Sequence, residues 1–201
     1  MVRVHHRDDD HTGVVFAINY GSGLPDDAEL RLCGDLGDGR RAVELGISSE
    51  YNALAMARAG AKAIAVDPDP EQIALTRAKA AEHEVSVQCF ETDLADLGDI
   101  TSATCDVVVA NRTIGDVDDL GRLFRQVHRI LKPERPFVIV VDHPFATVSD
   151  ESPYGTERTI GGWHTSLART NFRVDRLLEL GAGGAAPRPS TLILRALKEG
   201  S

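Results

Sequence analysis

AVELGISSEYNALAMARAGAKAIAVDPDPEQIALTRAKA, residues 42 to 80, decides the fold. Two short apolar runs are joined there by one helical segment, and a carboxylate stands at or near the end of each run. The first run, Ala42 to Leu45, is too short for a helix and feeds a tight turn at Gly46; Ala53, Leu54, Met56, Ala57 and Ala59 then make an alanine-rich helix. Gly60 stops that helix. The second run, Ala63 to Val66, ends at Asp67, and Pro68 and Pro70 break the strand and start another helix at Pro70 or Glu71. Asp67 follows Gly46 by about twenty residues, the spacing at which an acid after the second strand meets the ribose of a nucleotide lying across the first turn. The segment reads as a nucleotide-binding βαβ unit.

That spacing suits a nicotinamide dinucleotide as well as S-adenosylmethionine, and the glycine pattern separates them. A pyrophosphate needs the second and third glycines of GxGxxG so that backbone amides can approach it, yet Ser48 and Tyr51 stand at those positions. A diphosphate would also sit against the charge of Glu50. S-adenosylmethionine carries no phosphate, and its sulfonium and amino groups are cationic.

The segment resembles motif I and the following acidic loop of the class I S-adenosylmethionine-dependent methyltransferases, of the small-molecule type, whose usual pattern is (D/E)xGxGxG with an acid after the second strand. Glu44 and Gly46 match the acid and first glycine, while Ser48 and Glu50 replace the second and third glycines. Cys105 to Arg135, CDVVVANRTIGDVDDLGRLFRQVHRILKPER, is similar to the family's fourth strand, following loop, fourth helix and RxLKPxG turn. Within it Leu120, Leu123, Phe124, Val127, Ile130 and Leu131 share one helical face, with Asp116, Asp118 and Asp119 expected in the first turn.

The resemblance covers roughly residues 25 to 197 and implies a doubly wound, Rossmann-like α/β sheet of seven strands, mostly parallel with an antiparallel last strand and helices on both faces. It implies S-adenosyl-L-methionine as cofactor, S-adenosyl-L-homocysteine as product, and methyl transfer to a small-molecule acceptor by in-line displacement. The cofactor residues it implies are Glu44, Gly46 and Ser48 in the first turn, Asp67 and Pro68 at the ribose, Asp93 and Leu94 at the adenine, and Asn111 at the methionine end. Each has a bland counterpart: Asp67 and Asp93 also suit turns and caps, Glu44 a strand-end bond, Ser48 a helix cap.

On the acceptor side Tyr20 could line the entrance or be an ordinary loop aromatic, Arg112 could meet an anionic acceptor, and Tyr154 and Trp163 could stack on a substrate or anchor the next helix. Residues 151 to 162, rich in turn formers, read as a lid. His143 follows the expected strand Phe137 to Val141 and is the candidate general base, as well as a pocket residue. A helix is expected from Pro25, and a third strand from Val85 to Phe90.

The 201 residues fit one domain, 13 to 201, behind a polar tail, 1 to 12. Its histidines and aspartates are consecutive terminal residues that do not preorganise a metal site, so no metal is expected. Net charge is −9 without a basic stripe, which disfavours nucleic acid as partner. No apolar run has membrane-spanning length, so no membrane partner is expected, and three cysteines without a CxxC pair suit a cytoplasmic location. A monomer or homodimer is expected. Two rival readings are a catalytically silent S-adenosylmethionine-binding domain and a nicotinamide-dependent reductase, the latter opposed by the missing glycines.

Overall fold

A computed structural model describes residues 17–146, 148, 154, 158–181 and 188–200. The elements in chain order are α1 (Asp27–Leu30), β1 (Arg41–Leu45), α2 (Asn52–Arg58), β2 (Lys62–Asp67), α3 (Pro70–Glu82), β3 (Val87–Glu91), β4 (Val107–Asn111), α4 (Leu120–Ile130), β5 (Pro136–Asp142), α5 (Ile160–Ala168), β6 (Phe172–Leu180) and β7 (Thr191–Lys198). Seven strands form one sheet in the order β3-β2-β1-β4-β5-β7-β6. The pairs from β3 through β5 are parallel, and β7 runs antiparallel between β5 and β6.

Both faces are covered, which is why β4, VVVAN, is buried at every position rather than alternating. On one face Val43, Leu45, Val108 and Ile139 pack with Leu123, Phe124 and Val127 of α4 and Trp163 and Leu167 of α5. On the other, Ala42, Val107, Val109 and Val140 meet Ala55 and Met56 of α2 together with Ile18, Tyr20 and Leu32 of the leading segment. The strand order reverses between β1 and β4, so the carboxyl ends of those strands open a crevice at which ligands bind in doubly wound folds.

Local signals set the ends of the elements. Asp69 caps α3 by accepting from Glu71 N–H at 2.8 Å, and Pro70 occupies its first turn. Asp119 caps α4 through Arg122 N–H at 2.8 Å, so Asp116 and Asp118 precede that helix instead of lying in its first turn. The helix expected from Pro25 is a single turn. Asp26 accepts from Ala28 and Glu29 N–H, but Arg31 already adopts the left-handed conformation, φ 51°, and ends it. β3 starts at Val87 rather than Val85 because Val85 N–H is spent on Ala80 C=O, closing the end of α3. The lid expectation for 151–162 falls largely outside the described residues, and Ile160 to Gly162 open α5. The tail 1–12 also lies outside them. Among the described residues no helix is long and apolar enough to cross a membrane.

Candidate active site

Gly46 turns the chain out of β1 with φ +75°, and its N–H donates to Val66 C=O at 2.8 Å. A Cβ here would lie 2.3 Å from Cβ of Thr113, whose hydroxyl donates to Leu45 C=O at 2.6 Å. Positive φ and this close approach both demand glycine.

Glu44 lies two residues earlier and is wholly buried. Its Oε1 accepts from the Ser48 N–H and hydroxyl at 3.2 and 3.1 Å, and Oε2 from Ala53 N–H at 2.8 Å. Burial pushes its pKa up to about 7 against the opposing effect of those hydrogen bonds. Both oxygens are thus engaged in fastening the turn and the start of α2. Of the two readings of Glu44, contact with the methionine amino group and a strand-end bond, these hydrogen bonds supply the second. Ser48, expected beside the cofactor, directs its hydroxyl to that acid and accepts from Glu50 N–H at 3.3 Å.

Asp67 closes the other side of the turn. Its Oδ2 accepts from Ile47 N–H at 2.6 Å and Oδ1 from Asp69 N–H at 2.8 Å, which holds the carboxylate at the carboxyl end of β2 beside the first turn. Pro68 follows it, exposed. Asp93 accepts from Ala95 N–H at 2.7 Å within a turn, and Leu94 is buried in the core.

Asn111 ends β4 against this turn. Its Nδ2 donates to Asn19 C=O at 3.1 Å, while Oδ1 is buried without a partner. Asn19 is also clasped by Asn52, whose Oδ1 accepts Asn19 N–H at 2.8 Å and whose Nδ2 donates to Asn19 C=O at 2.9 Å. The leading segment is therefore stitched across the crevice by three asparagines. Sequence reading passed over Asn19, Asn52 and the packing of Thr113 on Gly46. An asparagine in the first helical turn after motif I was the one available signal.

Two cavities meet at this point. One, about 560 Å³, is bordered by Gly21, Ile47, Ser48, Glu50, Asn111 and Arg112 among others. The second, about 450 Å³, is bordered by Arg112, Thr113, Asp116, Asp142, Arg158 and Trp163 among others. Arg112 and Thr113 belong to both and form the partition. Arg112 is braced there by Asp142 Oδ1 at 3.3 Å from Nε and by the Thr191 hydroxyl at 2.7 Å from Nη2.

The structure places the remaining acceptor-side candidates differently from expectation. His143 is wholly buried; Nδ1 accepts from Phe145 N–H at 3.1 Å, so the proton sits on Nε2 and is donated to Glu179 Oε1 at 2.8 Å. With both nitrogens engaged and no exposure, His143 supports the chain reversal after β5, an arrangement that presents no free ring nitrogen for the general-base role expected of it. Tyr20 borders the first cavity, but its side chain is buried and its hydroxyl donates to Asp27 Oδ1 at 2.6 Å. It is neither a solvent-exposed loop aromatic nor free to bond a substrate. Trp163 borders the second cavity while packing on Phe124, ring centroids 6.3 Å apart, with the Arg158 guanidinium 5.6 Å from its ring. That geometry anchors α5, the second of the two roles expected for Trp163. Tyr154 is half-exposed and stacks on Phe145 at 4.7 Å, which in turn stacks on His143 at 5.5 Å.

Residues 43–139 match the model of a methyltransferase domain family. No curated protein sequence matches the chain. Among solved structures, an S-adenosylmethionine-dependent methyltransferase from Mesorhizobium loti superposes with a TM-score of 0.71 at 22% identity, covering 85% of this chain and 96% of that one. A SAM-dependent methyltransferase from Aquifex aeolicus gives 0.69 at 15% identity, covering 85% and 88%. A geranyl diphosphate methyltransferase solved with SAM gives 0.68 at 15%, covering 86% and 84%. These likenesses share the fold, with its sheet order and antiparallel closing strands. Together with the family match and the first-turn geometry around Gly46 and Asp67, they lead to one assignment: residues 43–139 carry a methyltransferase domain, set in a chain with the fold of the S-adenosylmethionine-dependent methyltransferases.

Proposed function

We propose that this chain transfers the methyl of S-adenosylmethionine to a small molecule, with the cofactor across the carboxyl ends of β1, β2 and β4 and the acceptor in the cavity beyond Arg112 and Thr113. The observation that carries the reading is Asn111, which borders the first-turn cavity and whose Oδ1 is a buried acceptor without a partner. Such an atom costs about 1–3 kcal/mol unless a donor meets it, and a cationic amino group is a suitable donor. The donor set around the turn fits the same ligand: Asp67 stands at the strand end for ribose hydroxyls, and no backbone cradle for a diphosphate is built where Ser48 and Glu50 replace glycine. Asp93 and Leu94 would flank the adenine.

When bound, the cofactor supplies an electrophilic methyl on a sulfonium. The chain's own work is to orient the two reactants and exclude water. Thr113, packed on Gly46, fixes the floor of the partition, and Arg112 holds its edge through Asp142 and Thr191. His143 takes no proton in this scheme, so the acceptor must present a nucleophile that needs no histidine base. A net charge of −9 and a second cavity of about 450 Å³ favour a small acceptor over a nucleic acid.

Calorimetric titration with S-adenosylmethionine, S-adenosylhomocysteine and the nicotinamide dinucleotides tests this. Binding of the adenosyl ligands alone is expected, followed by turnover in a small-molecule acceptor screen. Binding without turnover across a broad panel would favour a silent binding domain, and dinucleotide binding would overturn the reading.

A further inference from the structure

We propose that a third cavity, between the leading segment and α2, is an effector site for a small aromatic amine, and that filling it tightens cofactor binding. The site stands on its own residues, whereas the coupling rests on the cofactor reading above.

This cavity, about 470 Å³, shares no bordering residue with the two described above. Ile18, Ala28, Leu36, Ala55 and Ala59 give it an apolar wall, and the three alanines leave room for a planar ring. Size and lining are those of a small-molecule site, in which a few polar groups orient an apolar body. The orienting group here is Asp27, half-buried on the wall. Its Oδ1 accepts from the Tyr20 hydroxyl at 2.6 Å, Leu32 N–H at 2.7 Å and Cys33 N–H at 3.1 Å, while among the described residues Oδ2 has no donor. Asp35, the other acid on this wall, is satisfied at both oxygens, by Gly37 N–H at 2.9 Å and by Arg40 at 3.2 Å. An ammonium therefore has one carboxylate oxygen to meet, and the net charge of −9 favours a cation over an anion. Arg31, the one basic residue on the wall, is exposed, where solvent and salt screen its charge.

Asp27 also joins this cavity to the cofactor side. Tyr20, whose hydroxyl it holds, borders the first-turn cavity, and Asp27 N–H donates to Ile18 C=O at 2.9 Å. Between Ile18 and Tyr20 stands Asn19, clasped by Asn52 and Asn111. Residues 17–26 form no helix or strand, so these few contacts are what order them. A ligand bound across Ile18 and Asp27 fixes one end of a segment whose other end walls the cofactor cavity, and the cofactor then meets a wall already ordered.

The test titrates the full chain calorimetrically with tryptamine, tryptophol and indole-3-propionate, which share an indole body and carry an ammonium, a hydroxyl or a carboxylate. Tryptamine should bind, tryptophol about tenfold more weakly and the carboxylate more weakly still, as expected for a charge-assisted contact. Ala28→Phe and Ala59→Phe, substitutions at exposed positions that fill the cavity, should each weaken tryptamine about tenfold or more without lowering the melting temperature. Saturating tryptamine should tighten S-adenosylhomocysteine about fivefold or more, and S-adenosylhomocysteine should tighten tryptamine by the same factor. Tyr20→Phe should retain tryptamine binding and abolish this coupling. Absence of saturable tryptamine binding, preference for the carboxylate, or tryptamine binding left intact by both phenylalanine variants would overturn the site. Unchanged S-adenosylhomocysteine affinity at saturating tryptamine would overturn the coupling. Failure of S-adenosylhomocysteine to bind at all would remove the cofactor reading and the coupling with it, while the tryptamine titrations still decide the site.

Discussion

Two buried acids in this molecule respond to pH in opposite directions. Glu44 has its pKa raised by burial from 4.5 to about 7, so the folded protein holds a proton that the unfolded chain releases over that interval. Its contribution to stability is fully present below about 4.5 and is lost as pH rises through 7, roughly 3 kcal/mol in all. Glu44→Gln should flatten the dependence of melting temperature on pH across this window; an unaltered slope would show that Glu44 is not the titrating group. Burial also acts on Asp106 to raise its pKa, but Lys132 Nζ at 2.8 Å, the Arg41 N–H and Arg135 outweigh it and hold the carboxyl below its usual range. Its stabilisation is present above the unfolded-state pKa and is lost as pH falls through the folded one, so Asp106→Asn should shallow the acid limb of the stability curve. If Asp67 holds the ribose as proposed, Asp67→Ala should weaken S-adenosylmethionine by about 1.5–3 kcal/mol, measured by titration. Retained affinity would argue for a purely local role in holding Ile47 and Asp69. For His143, a Gln variant should lower the melting temperature yet leave the pH profile of methyl transfer unchanged, because the ring is sealed between Phe145 and Glu179.

Elements meet at the crevice through the Gly46 and Thr113 contact, which couples the turn after β1 to the loop after β4. Gly46→Ala should destabilise the protein by about 2–4 kcal/mol and abolish cofactor binding. Adding Thr113→Gly should recover the steric part and leave the positive-φ part, a non-additivity that a double-mutant cycle on denaturant midpoints would read. The same contact shows what was legible in the sequence. The β1-α2-β2 unit could be read because its signals are local: strand length, a glycine, an acid about twenty residues on, and prolines that begin the next helix. The α4 face was legible from its 3.6-residue period, and the acid in motif I from its place before Gly46. The asparagine clasp was not, since Asn19 meets partners 33 and 92 residues away and leaves no periodic trace. The burial of His143 was not legible for a related reason. A polar residue after a strand looks the same whether solvent or a later strand covers it, and its cover, Glu179 on β6, lies 36 residues downstream. The burial of Tyr20 was not legible because Asp27, which accepts its hydroxyl proton, and Cys33, whose Sγ lies 3.4 Å from that oxygen, come later in the chain around a single helical turn.

Across the whole molecule, the parallel half, β3-β2-β1-β4, carries the first-turn crevice, and the β5-β7-β6 half supports the second cavity through Asp142, Thr191 and the chain reversal at His143. The two halves share Arg112, which reaches from the loop after β4 to Asp142 at the end of β5 and to Thr191 at the start of β7. Because β7 lies between β5 and β6, β6 has no hydrogen-bonded neighbour in the sheet until β7 is in place. During synthesis the parallel half can therefore assemble as it leaves the ribosome, whereas β6 must wait for a strand made after it. For that interval the free edge of β5 is exposed, so the nascent chain depends most on chaperone cover while β6 and β7 are being made.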